Sequence, residues 1–215
     1  MGLRFLSVLA LGGLLLAPAF AGAAENPPET APGGPQAPDW VAPPSNLPKP
    51  ERGDHATYNL DTLFAALKIA PDAESAKAIE QRIWALWMVS GSDTCNLLMG
   101  RVKAATDEKD NELAIKLLDS VIALKPDYTE AWNRRATIYF LMTDYGHSLA
   151  DIREVLIREP RHFGALSGLG LILQEIGDDK HALEAYRRAL AIDPHLDQIP
   201  DVIKTLSEKV EGRDI

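Results

Sequence analysis

Pro126, Pro160 and Pro194 stand 34 residues apart, and Asp110, Asp144 and Asp178 repeat at the same interval. Two residue types that share one period mark a chain built by repeating a small unit. A unit of this length is a helix-turn-helix, which cannot bury its apolar face alone and persists only by stacking on its neighbours. The constraint therefore reaches fold and function together: an array of helices that offers surface rather than a reaction centre.

The apolar residues keep the same phase. The first unit places Leu98, Val102 and Ala105 on its first helix and Ala114, Leu118 and Val121 on its second. The next places Trp132, Ala136 and Tyr139, then Ser148, Ile152 and Val155; the third places Leu166, Gly170 and Leu173, then Ala182, Tyr186 and Ala189. Spacing of i, i+4 and i+7 lays each set along one helical stripe. A small residue between two large ones on the first helix lets the second helix approach closely. Each aspartate falls between the two helices, where its carboxylate can accept from free backbone amides and cap the second. Each proline follows that second helix, which it cannot continue.

This pattern resembles the tetratricopeptide repeat, most fully through Leu166, Leu169, Gly170, Leu173, Ala182, Tyr186, Ala189 and Pro194. The resemblance spans about residues 95–196 and implies an all-α, right-handed solenoid of helical hairpins whose first helices line a concave groove. Carried over by register, the peptide-binding groove is Asn133, Thr137, Phe140, Leu141, Ser167, Leu171 and Gln174. An apolar strip set beside amide and hydroxyl groups suits an extended peptide or an amphipathic helix. Asn96, Met99, Lys103 and Asp107 line the first unit by the same register. Lys103 with Asn133 and Arg134 does not rebuild the basic set with which some members hold a peptide's terminal carboxylate. A competing reading has the protein's own C-terminal helix covering Phe140 and Leu171. A further alternative is a structural solenoid that self-associates through imperfectly capped ends and has no groove partner.

Segments outside the repeats divide the rest of the chain. Residues 1–24 carry one charge, Arg4, then an apolar run from Phe5 to Ala17 and a small-residue tail. That is the layout of a secretory signal peptide cleaved near Ala21 to Ala24; the run is broken by Gly12-Gly13 and is short for a membrane span. The expected location is a bacterial periplasm, with membrane contact only through this segment before cleavage. Residues 25–56 contain nine of the fifteen prolines and read as an extended, solvated linker. Residues 57–92 hold two short amphipathic stripes, one on Leu60, Leu63, Phe64 and Leu67 and one on Ile79, Ile83, Leu86 and Trp87. They form a helical hairpin without the repeat pattern, either a divergent first unit or an N-terminal cap. The three units occupy 93–196. In 197–215 a stripe of Ile199, Val202, Ile203, Leu206 and Val210 makes a capping helix, with Pro200 in its first turn.

Composition narrows the partners. Without the first 24 residues, 21 basic side chains face 31 acidic ones, a net charge of about −10. Phosphate backbones need a basic stripe, so nucleic acid is not the expected partner; another protein is. The lone Cys95 has no bridging mate in the chain and no activating pattern around it, and reads as a small buried residue.

No residue set nominates chemistry or a cofactor. Gly164, Gly168 and Gly170 follow no strand and lack a Lys-Ser or Lys-Thr pair, so the repeat explains them better than a phosphate loop does. His147 and His181, again 34 apart, lack a third metal ligand. Arg101 and Arg135 occupy a position the family usually fills with an apolar residue. They are either structural, paired with a carboxylate such as Asp119 or Asp151, or a basic contact for a ligand. The expectation is thus a non-enzymatic adaptor or scaffold in a cell-envelope complex.

Overall fold

The computed structural model describes residues 60–212. The signal segment at 1–24 and the proline-rich stretch at 25–56 lie outside the described residues. Among those described there are nine helices and no strand: α1 (Leu60–Lys68), α2 (Ala73–Trp87), α3 (Asp93–Asp107), α4 (Asn111–Leu124), α5 (Thr129–Leu141), α6 (Tyr145–Arg158), α7 (Phe163–Glu175), α8 (Asp179–Ile192) and α9 (Ile199–Val210). Helices α3–α4, α5–α6 and α7–α8 are the three repeated hairpins, and each packs on the next.

The turn inside each hairpin is built the same way three times. Lys109, Thr143 and Gly177 take positive φ, at 60°, 59° and 83°. This closes the first helix with a left-handed residue and leads the chain into the second. The following amide of Asp110, Asp144 or Asp178 then donates back to the carbonyl of Ala105, Tyr139 or Leu173 at 2.8–2.9 Å. The same aspartate accepts from the amide three residues on, Leu113, His147 or His181, and caps the second helix. One short segment thus satisfies backbone groups at two helix ends.

Packing inside the hairpins follows the small-large alternation. A methyl group added to Gly170 would sit 2.7 Å from the Tyr186 ring, so glycine is what lets α7 and α8 meet. Cys95 is free and buried, within a cluster that includes Met99, Val102, Leu118, Val121 and Ala131. A second cluster joins Ala136, Phe140, Ile152, Val155, Ala165 and Ile172 across α5, α6 and α7. Helix α9 covers the outer end of α8, sealing Ile199 and Leu206. Arg187 holds Glu211 at 2.7 and 2.8 Å, and Lys209 pairs with Asp179.

The first hairpin departs from the sequence reading. A divergent first unit or an end cap would rest its apolar face on α3 and α4. Instead Leu63, Phe64, Leu67, Ile83, Trp84 and Trp87 join Phe163, Leu166, Leu183 and Tyr186 in one core. The hairpin turns back over the proline-bearing turns that precede α5, α7 and α9, and leaves Leu97 on α3 exposed. The reason lies in those turns: Tyr128, His162 and Leu196 are buried 34 residues apart, Tyr128 bonding the Met88 carbonyl, His162 stacking on Trp87 and Leu196 joining the hairpin's core.

Candidate functional site: the concave face and the hairpin across it

Trp84 and Trp87 of α2 lie against the N-terminal end of α7, and each proline turn holds the α1–α2 hairpin differently. In the first, the Tyr128 hydroxyl donates to the Met88 carbonyl at 3.0 Å. In the second, Arg161 bonds Asp61 at 2.6 Å, and its guanidinium lies 4.3 Å from the centre of the Phe64 ring. In the third, His195 Nε2 lies 3.0 Å from the Ala70 carbonyl, which can only accept, so that nitrogen carries the proton.

His162 is the centre of the seat. Its Nδ1 accepts from the Ala165 amide at 3.0 Å and caps α7, which puts the ring proton on Nε2. The imidazole lies flat on Trp87, with centroids 4.0 Å apart and planes 7° from parallel, and meets Trp84 edge-on at 5.3 Å. Trp84 fills the space left by Gly164, where an added methyl would come within 2.9 Å of the indole.

Charged and polar groups are enclosed in this half of the groove with only part of their bonding satisfied. Glu130 and His162 are both fully buried, with Nε2 3.5 Å from Oε2, and Asn133 donates to the same carboxylate at 3.2 Å. Glu130 Oε1 faces Arg134 Nε at 3.4 Å, while Ser167 Oγ and Trp87 Nε1 are buried without a hydrogen bond. Each such unbonded group costs about 1–3 kcal/mol. Asp193, in the turn before α9, is also buried; its Oδ1 accepts from the His195 amide while Oδ2 has no amide, hydroxyl or ammonium donor. Glu80 of α2 lies against it. Burial, then the charge of Asp193, pushes the Glu80 carboxyl up to about 8, and burial also raises Asp193.

The seven residues assigned to the groove separate along its length. Asn133 and Ser167 are buried at the N-terminal end, in the half that α2 crosses. Thr137, Leu141 and Leu171 are half-buried and Gln174 is exposed at the other end. Phe140 does not face the groove at all: it is 3% exposed and packs into the α5–α6–α7 core, with Tyr145 at 5.9 Å. Its helix turns it toward α6, a placement the register of a looser repeat does not reveal. A cavity of about 10 Å³, one water at most, lies between Thr137, Phe140, Ser148, Gly168 and Leu171. Helix α9 packs on α8, and Phe140 and Leu171 belong to the α5–α6–α7 cluster instead. In the first unit Met99 is buried and Lys103 is held by Asp107 at 2.6 Å.

Arg135 resolves the two arginine readings in favour of structure. It grips Asp151 through two bonds of 2.8 Å and Asp119 through one of 2.6 Å. It also lies 5.0 Å from the Trp132 ring centre. These carboxylates raise its pKa further, so its charge is fixed. Arg101, by contrast, is exposed. His147 and His181 bond their own cap aspartates at 2.7 Å, and no group of three or more metal-binding side chains occurs among the described residues. The sequence reading missed Tyr128 and His162 as partners of the hairpin. The available signal was an aromatic residue two positions after Pro126 and Pro160, matched by Trp84 and Trp87 one helical turn apart.

The stacked hairpins and their lined inner face define a helical-repeat scaffold of the class that binds other proteins. The chain belongs to the tetratricopeptide repeat family. The family's repeat model matches residues 163–196. A TPR repeat-containing protein of Rhizobium etli is 47% identical over 153 residues, 71% of this chain and 75% of that protein. A small glutamine-rich tetratricopeptide repeat-containing protein of Saccharomyces cerevisiae is 29% identical over 89 residues, 41% of this chain and 26% of that one. Among solved structures, the first TPR of Spaghetti (RPAP3) bound to the HSP90 peptide SRMEEVD has a TM-score of 0.53 at 16% identity, covering 56% of this chain and 95% of that one. The Sgt2 TPR domain from Aspergillus fumigatus has a TM-score of 0.52 at 23% identity, covering 58% and 83%. Both show the fold alone.

Proposed function

We propose that this protein is an exported interaction module, an adaptor in a bacterial cell-envelope complex, that receives a peptide or helix on the C-terminal half of its concave face. The observation that carries this reading is the strip formed by Thr137, Leu141, Leu171 and Gln174, which stays accessible while the other half of the groove is filled. Exposed Met142 and Ile176, which follow α5 and α7 at equivalent positions, add apolar surface at the C-terminal ends of these helices. That a protein of this fold holds a peptide supports the mode of binding. The acidic balance of this chain and the neutralised Lys103 argue against an acidic peptide like that one. The signal-like first 24 residues support export.

Capture from an extract of the producing organism tests the reading. Phe140 is too buried to accept a charge, so the informative variant combines Leu171→Glu with Gln174→Lys. It should lose partners that the wild type retains, with helicity unchanged; unchanged capture moves the contact surface elsewhere. A second reading, self-association, has one observation in its favour. With the first hairpin turned away, α3 exposes Leu97 and Arg101 at the open end of the array. Sedimentation over a concentration range separates the two, since a strict monomer removes it.

A further inference from the structure

A second recess lies on the side of the second helices, between α4 and α6 with α5 as its floor. This open cleft of about 640 Å³ is lined by Trp132, Arg135, Tyr139, His147, Ala150 and Arg153, among others. Its rings are held in place by their neighbours. Arg135 and Arg158 each lie 5.0 Å from the centre of the Trp132 ring, and His147 stacks on Tyr139 at 5.0 Å. Both Trp132 and Tyr139 are half-buried, so part of each ring faces the cleft. Arg135 is taken up by Asp119 and Asp151, and Arg158 by Glu154 and the Pro126 carbonyl. The Tyr139 hydroxyl and exposed Arg153 bond nothing among the described residues. The cleft thus sets aromatic surface beside free donors.

That combination suits one kind of chain. A proline-rich segment has carbonyls that accept, few N–H groups to give, and rings that pack on aromatic side chains. We propose that this cleft holds the chain's own proline-rich arm, through residues 43–48, which read Pro-Pro-Ser-Asn-Leu-Pro. Those residues lie outside the described ones.

The start of α1 delivers the arm to the correct end of the cleft. Asp61, in the first turn of α1, bonds Arg161 at 2.6 Å, and Arg161 follows shortly after the Arg158 that covers Trp132. The arm therefore departs beside the C-terminal end of α6. From His147 to Arg158 the wall of the cleft is about 16 Å long, at 1.5 Å per helical residue. Residues 43–48 in polyproline form extend about 19 Å, at 3.1 Å each, and so match it. Residues 49–59 can bridge up to about 36 Å, at about 3.3 Å each, so reach is not limiting. A short tether also keeps the local concentration of the arm on the order of millimolar, and a weak intrinsic affinity is enough to fill the cleft.

Photo-crosslinking in the purified full chain tests this, with a photoreactive residue at Ala150 in the cleft and, as a control, at exposed Glu184 on α8. Digestion and mass spectrometry should place the Ala150 adducts on residues 43–48 of the same molecule. Their yield should not depend on protein concentration, and Glu184 should give none. A tether by itself also brings the arm near, so a second chain carries Pro43→Ser, Pro44→Ser and Pro48→Ser, which alter no residue of the repeats. Loss of the preset polyproline form should cut the yield about ten-fold. An unchanged yield in this variant means proximity without docking and overturns the proposal. Adducts that form only between two copies, or none on residues 43–48, overturn it as well. Leu171 and Gln174 take no part in the measurement, so its failure leaves the reading of the open strip standing.

Discussion

The indole of Trp87 lies parallel to the imidazole of His162 at 4.0 Å, joining a helix outside the repeat pattern to a turn inside it. Because His162 also caps α7, the stack ties the hairpin's position to the start of a repeat helix. Trp87→Ala should lower stability by about 3–5 kcal/mol, the usual cost of deleting a large buried ring. The loss should be local first, with protection in α1 and α2 falling before that in α5–α8. Urea unfolding together with hydrogen exchange checks both parts.

Gly170 and Gly100 make a matched pair for testing the packing. The space beside Gly170 is taken by the Tyr186 ring at 2.7 Å, whereas nothing lies within 4 Å of a methyl at Gly100. Gly170→Ala should cost about 1–3 kcal/mol through overpacking. Gly100→Ala should instead gain about 0.5–1 kcal/mol by reducing the freedom of the unfolded chain. Opposite shifts in melting temperature are the expected result.

Arg135 should behave as a structural residue. Arg135→Met leaves Asp151, with a side chain only 5% exposed, without its charged partner. Breaking a buried pair in this way costs about 3–5 kcal/mol. The bond to the half-exposed Asp119 adds little. The double variant Arg135→Met with Asp151→Leu should regain much of the loss, measured by denaturant midpoint at constant slope.

The cap aspartates should contribute to acid unfolding. Hydrogen bonds from His147 hold Asp144 below the ordinary carboxylate range, and those from His181 do the same for Asp178. A group whose pKa is depressed by folding stabilises above its unfolded value and loses that effect as pH falls through the folded one. Asn caps nearly as well as Asp and does not titrate. Asp144→Asn with Asp178→Asn should therefore leave stability at pH 7 close to wild type and flatten its decline below about pH 4, as followed by helicity on acid titration.

What could be read in the sequence follows from which features repeat as identities. Asp110, Asp144 and Asp178 announce the caps because the same side chain does the same work three times. The left-handed residue just before each does not, since Lys109, Thr143 and Gly177 share a conformation and no chemistry. The structural role of Arg135 was legible as one of two readings, through Asp119 and Asp151 on the neighbouring helices. The groove was legible as a face and illegible in depth. Register placed Thr137 and Leu171 on it but also Phe140, which the core claims. The hairpin's destination was hidden because it depends on Tyr128, His162 and Leu196, which share burial and period without sharing a residue type. Long-range contacts of an element without the repeat pattern have no periodic signal to betray them.

The most direct test of the central claim, that partners dock on the accessible half of the inner face, is site-specific photo-crosslinking in the producing cell. A photoreactive residue at Leu171 should give discrete adducts with another protein, while the same residue at exposed Glu184 on α8 gives none. Adducts at Glu184 with none at Leu171 would contradict the account.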